Sequence, residues 1–238
     1  MTDRNWAETD QRYTLQAEWS ESFRSYVYRM LDCKTQISVL EVGCGTGAVM
    51  RSVREEFPGK LRILIGIDKD KGALDYSNNP EKSCRCVSLA ESLPFPNESF
   101  DFVYCHYLLL WVKDAVRVLQ EMHRVIRKGG ICSAFAEPCY AEMNAKPQSL
   151  YKAAQRQRQY LCEQGASMNI GQQLGTIFNQ AGFDHVEWGQ YQQKPMSENY
   201  LQSEIEQMRI DLGDQFLELK DGKNYFYAVP TYFALAEK

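Results

Sequence analysis

At 238 residues, 44% hydrophobic and 24% charged with no long biased tract, the chain has room for one sizeable globular domain. Lys and Arg total 27 against 31 Asp and Glu, and the resulting formal charge of −4 offers no basic face for a nucleic acid. No stretch approaches the roughly 20 apolar residues that span a bilayer. The opening MTDRNWAETDQRY lacks the apolar centre of a signal peptide, so a cytoplasmic protein is expected. The eight cysteines, at 33, 44, 84, 86, 105, 132, 139 and 162, form no C-x-x-C and no zinc-like spacing with His106, His123 or His185. Reduced thiols and no metal site follow as expectations.

Trp19, Phe23, Val27, Met30 and Leu31 recur at helical spacing and predict one or two helices between Trp6 and Leu31. ISVLEV (Ile37–Val42) is a short β-branched run ending at glycines. Val49, Val53 and Phe57 then mark a helix closed by Pro58-Gly59. A second strand is predicted at Leu61–Asp68, a short helix from Asp70 to Asn78 before Pro80, and a third strand at Cys84–Leu89. LPFPNES reads as a loop and FDFVYCHY as a fourth strand. Val116, Leu119, Met122 and Ile126 mark a helix that Gly129-Gly130 would end, with Arg124, Arg127 and Lys128 answering its dipole. The fifth strand is Ile131–Pro138.

Beyond it, SLYKAAQRQRQYLCEQG has a thin apolar stripe and is expected to lie loosely over the domain. Ile170–Gly182 reads as an amphipathic helix, FDHVEWGQY as a sixth strand, Ser197 to about Lys220 as a long surface helix, and TYFALAEK as a closing strand. Alternation of strand and helix with fully apolar strands predicts a doubly wound α/β fold around a mostly parallel sheet.

LEVGCGTGAV places Gly43, Gly45 and Gly47 where a first strand turns into a first helix. Ligands of open α/β sheets gather beyond such strand ends, and the helix N-terminus there favours negative charge. Asp68 ends the next strand, where a carboxylate accepts both ribose hydroxyls. Gly43-x-Gly45-x-x-Ala48 satisfies the looser dinucleotide pattern, which keeps an NAD(P)-dependent oxidoreductase in view. Glu41, two residues before the first glycine, argues against a pyrophosphate and for a ligand with an ammonium or sulfonium charge.

VLEVGCGTG, GID, AESLPFPNESFD and RVIRKGG, in this order, resemble the class I S-adenosylmethionine-dependent methyltransferases, strongly over Ile37 to Pro138 and more weakly through IGQQLGTIFNQAGF. The resemblance implies a seven-stranded Rossmann-like sheet and a soluble enzyme that methylates a small molecule, releasing S-adenosylhomocysteine. It implies a single domain: an N-terminal helical lid (1–36), a cofactor-binding core (37–138), a helical insertion (139–169) and a C-terminal part (170–238). It further implies that Gly43, Cys44 and Gly45 approach the methionine and ribose with their backbone, Glu41 near the amino end. Asp68 would take the ribose hydroxyls with Lys69 beside the adenine. Leu89, Ala90 and Glu91 would line the adenine edge, and Cys105 and His106 would lie near the transferable methyl. Many relatives carry Asp where this chain has Leu89, so adenine recognition rests on other contacts, and a non-catalytic cofactor-binding protein is the further alternative. His106 is the candidate general base, while His123 is expected to be a packed, hydrogen-bonded core residue and His185 to have no role. Tyr107, Trp111 and Tyr140 are candidates for the acceptor side, with Tyr13 and Trp19 as lid or core residues. A small-molecule partner is expected, with no nucleic acid and no membrane, in a monomer or homodimer.

Overall fold

A computed structural model describes residues 5–31, 36–76, 83–191, 197–216, 219 and 225–238. The chain opens with two helices, α1 (Trp6–Trp19) and α2 (Glu21–Leu31). Alternation then follows: β1 (Ile37–Val42), α3 (Ala48–Glu56), β2 (Leu61–Asp68), α4 (Lys71–Tyr76), β3 (Ser83–Val87), β4 (Phe100–Cys105), α5 (Ala115–Val125) and β5 (Ile126–Pro138). The second half adds β6 (Asn144–Lys146), α6 (Gln148–Glu163), α7 (Ile170–Gln180), β7 (Glu187–Gln190), α8 (Glu198–Leu212), β8 (Phe226–Ala228) and β9 (Thr231–Glu237). Cys33 and the end of the predicted Asp70–Asn78 helix, with Pro80, lie outside the described residues.

Seven strands form one sheet in the order β3-β2-β1-β4-β5-β9-β7, parallel except for β9, which runs against both of its neighbours. Apolar residues of β1 divide between its faces: Val39 packs with Val27, Tyr28 and Phe57 of one core, Leu40 and Val42 with Leu119, Met122 and Phe178 of the other. Strand order reverses between β1 and β4, the place where a crevice opens in such sheets.

Several expectations shift. The α5 helix ends at Val125 rather than at the glycines, because Ile126 is already extended and pairs with Phe100 of β4. Its basic residues do more than answer a dipole. Arg124 donates to the Leu93 and Phe95 carbonyls and to Asn97 Oδ1, and Arg127 pairs with Asp101 at 2.8 Å. These bonds bind RVIRKGG to the LPFPNES loop, so two motifs read separately in the chain are one structural unit. The Ser197–Lys220 helix is shorter and less superficial than expected: α8 ends at Leu212 and buries Tyr200, Leu201, Glu204, Ile205, Met208 and Leu212. Likewise α6 is not loose, since Leu150, Ala153, Ala154, Gln157 and Leu161 are buried on it. It packs against β6 and α8, and β6 pairs with β8 in a small antiparallel sheet that three-residue strands left invisible in the pattern.

The N-terminal lid also divides. α2 is a core helix whose Phe23 meets Phe233 at 4.1 Å and whose Tyr28 meets Phe57 at 5.3 Å. Only α1, which buries just Gln16 and Ala17, lies over the strand ends.

Candidate active site

Register brings the site together. Val42 pairs with Ile67 of β2 and with Cys105 of β4, so Gly43, Asp68 and His106 are the next residues along three adjacent strands. At this rim the Gly43 and Cys44 N–H groups donate to the Ile67 carbonyl at 2.8 and 2.9 Å. Gly45 has φ +50, and a Cβ there would stand 3.0 Å from the Tyr13 ring of α1. Gly43 has φ +76, and its Cβ would meet Leu108 at 2.7 Å. Both positions need glycine for conformation and for close approach.

The Asp68 carboxylate is half-buried and already partnered: Oδ2 accepts from Gly45 N–H at 2.8 Å and Oδ1 from Asp70 N–H at 2.9 Å. A carboxylate has about four acceptor positions, so capacity for two hydroxyls remains. Beside Asp68 in the register stands Val87, and both Val87 and Leu89 are exposed apolar side chains, at 57% and 59%. A carboxylate with spare acceptor positions next to an open apolar wall suits a ligand that carries hydroxyls beside a flat apolar ring. Lys69 is exposed on the rim, and Ala90 and Glu91 follow Leu89 half-buried.

Residues 40–134 match a family model described as Methyltransferase domain. A demethylmenaquinone methyltransferase of Oceanobacillus iheyensis is 26% identical over 190 residues, covering 72% of this chain and 79% of that protein. Among solved structures, the YcgJ protein of Bacillus subtilis superposes with a TM-score of 0.58 at 16% identity, covering 90% of this chain and 97% of the other. Phosphoethanolamine N-methyltransferase 2 of Haemonchus contortus, solved with S-adenosyl-L-methionine, gives 0.56 at 17% identity, over 86% of this chain and 49% of that one. Residues 40–134 thus carry a methyltransferase domain, and the relatives and the shared fold agree with the resemblance to the class I S-adenosylmethionine-dependent enzymes.

Two site expectations change at the level of side chains. Glu41 does not offer a charge to the crevice. Its carboxyl is buried, accepts from Tyr104 Oη at 2.9 Å, and is pushed up to about 8 chiefly by burial, which leaves it largely protonated at neutral pH. The repulsion argument against a pyrophosphate therefore fails, and the fold and motifs carry the family assignment without it. Cys105 is fully buried, its thiol 4.0 Å from Glu137 Oε1, and cannot line a cleft. The Cys44 side chain is buried as well, which leaves the backbone approach expected of that residue unchanged.

His106 stands at the expected rim, half-buried, its ring 5.2 Å from that of Tyr107 and its Nε2 without a hydrogen-bond partner. Burial, with the nearby Arg24 charge, lowers its pKa to about 3. A base that weak is poorly matched to proton abstraction near neutral pH. Its chemistry is that of a neutral polar group lining the pocket. His123 is half-buried rather than a core residue, edge-on to Phe183 at 4.8 Å. His185 precedes β7 at φ +53, on the side of the sheet opposite the strand rim, with His123 and Glu237 in one surface recess.

Sequence reasoning missed Glu137. It is fully buried at the end of β5 and accepts from three backbone N–H groups: Leu108 and Leu109 at 2.9 Å, Leu110 at 3.2 Å. Those bonds hold the turn after β4, where Tyr107 takes φ +52, in the shape that presents His106 and Leu108 to the glycines. A lone acid inside the apolar run AFAEP was the available signal, because an acid in a buried strand needs partners. Arg85 is a second omission. From β3 it donates to the Thr46 carbonyl at 3.2 Å and braces the glycine loop from beneath.

Proposed function

We propose that this methyltransferase takes S-adenosylmethionine at the rim formed by Gly43–Gly45, Asp68 and Leu89–Glu91, and methylates a small-molecule acceptor. The observation that carries the reading is the half-buried Asp68 carboxylate at the end of β2, facing the glycine turn on one side and exposed Val87 and Leu89 on the other. The cofactor supplies an electrophilic methyl on a charged sulfur. What this chain contributes is alignment: Gly43, Cys44 and Gly45 admit the ligand close to backbone, Asp68 holds the ribose, and His106 stands neutral at the β4 rim. Rate then derives mainly from holding the acceptor in attacking geometry and excluding water. Demethylmenaquinone methyltransferases among the relatives support an acceptor of small size. The reading includes a cytoplasmic enzyme, monomeric or homodimeric, with no nucleic-acid or membrane partner; no helix among the described residues is long and apolar enough to cross a membrane.

Calorimetry with S-adenosylmethionine, S-adenosylhomocysteine and NAD separates this from a dehydrogenase. Saturable heat with the two adenosyl compounds and none with NAD is expected. Heat with NAD alone would overturn the reading.

A further inference from the structure

Above the rim lies a buried group that neither the glycine loop nor the sheet explains. Arg12 of α1 reaches Glu204 of α8, Nε to Oε1 at 3.5 Å, and this ion pair makes no hydrogen bond at either atom. Around it stand Tyr107 after β4, Tyr140 after β5, Tyr200 of α8 and Tyr227 of β8, each in electrostatic reach of Glu204. Tyr227 is only 3% exposed, and its Oη has no partner, although its charged neighbours are Glu204 and Arg12. Asp211, two turns further along α8, approaches Tyr140 and accepts from neutral donors, Gln157 and Gln207, at 2.8 and 2.7 Å. Trp19 closes the side of Tyr200 with ring centroids 4.2 Å apart. The group adjoins the cofactor rim at two points: Tyr13 beside Arg12 covers Gly45, and Tyr107 follows His106.

Buried polar atoms without partners are costly and ask for a ligand. The composition says which. Two carboxylates oppose one guanidinium, and burial keeps the four phenols neutral, so they present ring faces and hydroxyls rather than charge. Such surroundings attract a cation. Resting on the methyltransferase reading above, we propose that the acceptor is a small amine, methylated on nitrogen, and that Arg12, Tyr107, Tyr140, Tyr200, Glu204 and Tyr227 form its site.

The charge balance of the reaction fits. The amine reacts as its free base, its ammonium proton having passed to solvent. The nitrogen lone pair then forms the new N–C bond as the C–S bond breaks, and that bond's electron pair stays on sulfur. Positive charge thereby passes from sulfur to the acceptor nitrogen. Ring faces and a surplus carboxylate on the acceptor side stabilise that transfer, which is the interaction that strengthens toward the transition state. A phenolate or carboxylate acceptor would instead bring negative charge toward Glu204 and Asp211.

The test titrates tetramethylammonium chloride, tert-butanol of equal heavy-atom count, and sodium acetate into the full chain saturated with S-adenosylhomocysteine. Tetramethylammonium is expected to bind about tenfold or more tighter than tert-butanol, with acetate weakest. Glu204→Gln is expected to lower the tetramethylammonium affinity about tenfold, while Glu206→Gln, exposed on the same helix outside the group, stays within about threefold. The comparison in the unaltered protein decides the matter even if Glu204→Gln does not fold. Equal binding of the cation and the alcohol, or preference for acetate, would overturn the amine site. Failure of S-adenosylhomocysteine itself to bind would strike the methyltransferase reading instead.

Discussion

Asp68 has two duties, and its replacement should show both. Asp68→Ala removes the acceptor of the Gly45 and Asp70 N–H groups, at 2.8 and 2.9 Å, as well as the ribose acceptor of the proposed site. Because those N–H groups are near solvent, about 1 kcal/mol of stability is expected to go. The loss of S-adenosylmethionine affinity should be larger, about 100-fold, since bonds to a charged acceptor contribute roughly 1.5–3 kcal/mol each. Calorimetry alongside denaturant unfolding separates the two effects. Glu137 makes the opposite forecast. Glu137→Ala orphans three N–H groups, two of them buried, and should cost about 2–4 kcal/mol of folding stability. Urea unfolding checks it; wild-type stability would mean that the turn after β4 holds itself. Asp68 was legible because it ends a β-strand about 20 residues beyond the glycines. Glu137 was visible only as an oddity, since its partners are backbone groups contributed by a turn.

At the scale of elements, α1 is the movable piece. It buries only Gln16 and Ala17 and lies over Gly45 through Tyr13. It is tied to α8 by the looser Arg12–Glu204 pair at 3.5 Å and by Trp19 against Tyr200, and to α3 by the Asp10–Arg51 ion pair at 2.9 Å. Partly exposed pairs of this kind contribute little, on the order of 0–1 kcal/mol. α6 buries a full stripe and is anchored to α8 through Gln157. Hydrogen exchange should therefore be fast in α1 and slow in α6 without ligand, and S-adenosylhomocysteine should slow α1 selectively. If α6 gained the protection instead, the covering element would be the insertion after all. Periodicity identified both helices but read α6 as loosely packed, which its buried stripe corrects. The thin stripe of SLYKAAQRQRQYLCEQG counted alanines and Gln157 as surface, whereas α8 and β6 supply a close partner for small side chains.

The balance of buried ionisable groups sets how the whole molecule responds to pH. Glu41 and Glu137, held at about 8 and about 7 by burial, bind more protons folded than unfolded, so their contribution falls as pH rises from about 4.5 through those values. His106, held at about 3, binds fewer protons folded, and its contribution is lost as pH falls below about 6.5. Between pH 6.5 and 8 only the two acids act, so the Tm is expected to drop across that interval. Melting curves of Glu41→Gln should show a smaller drop; an unchanged one would remove Glu41 as its source. The sequence by itself determined the sheet, its strand ends and the glycine–Asp68 rim, because each depends on local periodicity and on spacings within a single βαβ unit. Only the tertiary structure decided what occupies the space above that rim. Arg12, Tyr107, Tyr140, Tyr200, Glu204 and Tyr227 come from separated parts of the chain, and no local pattern marks them. Their meeting, and the burial that makes Glu41 neutral and His106 a poor base, follow from how α1, α8 and β8 close over the sheet, a matter of packing that no short stretch of residues records.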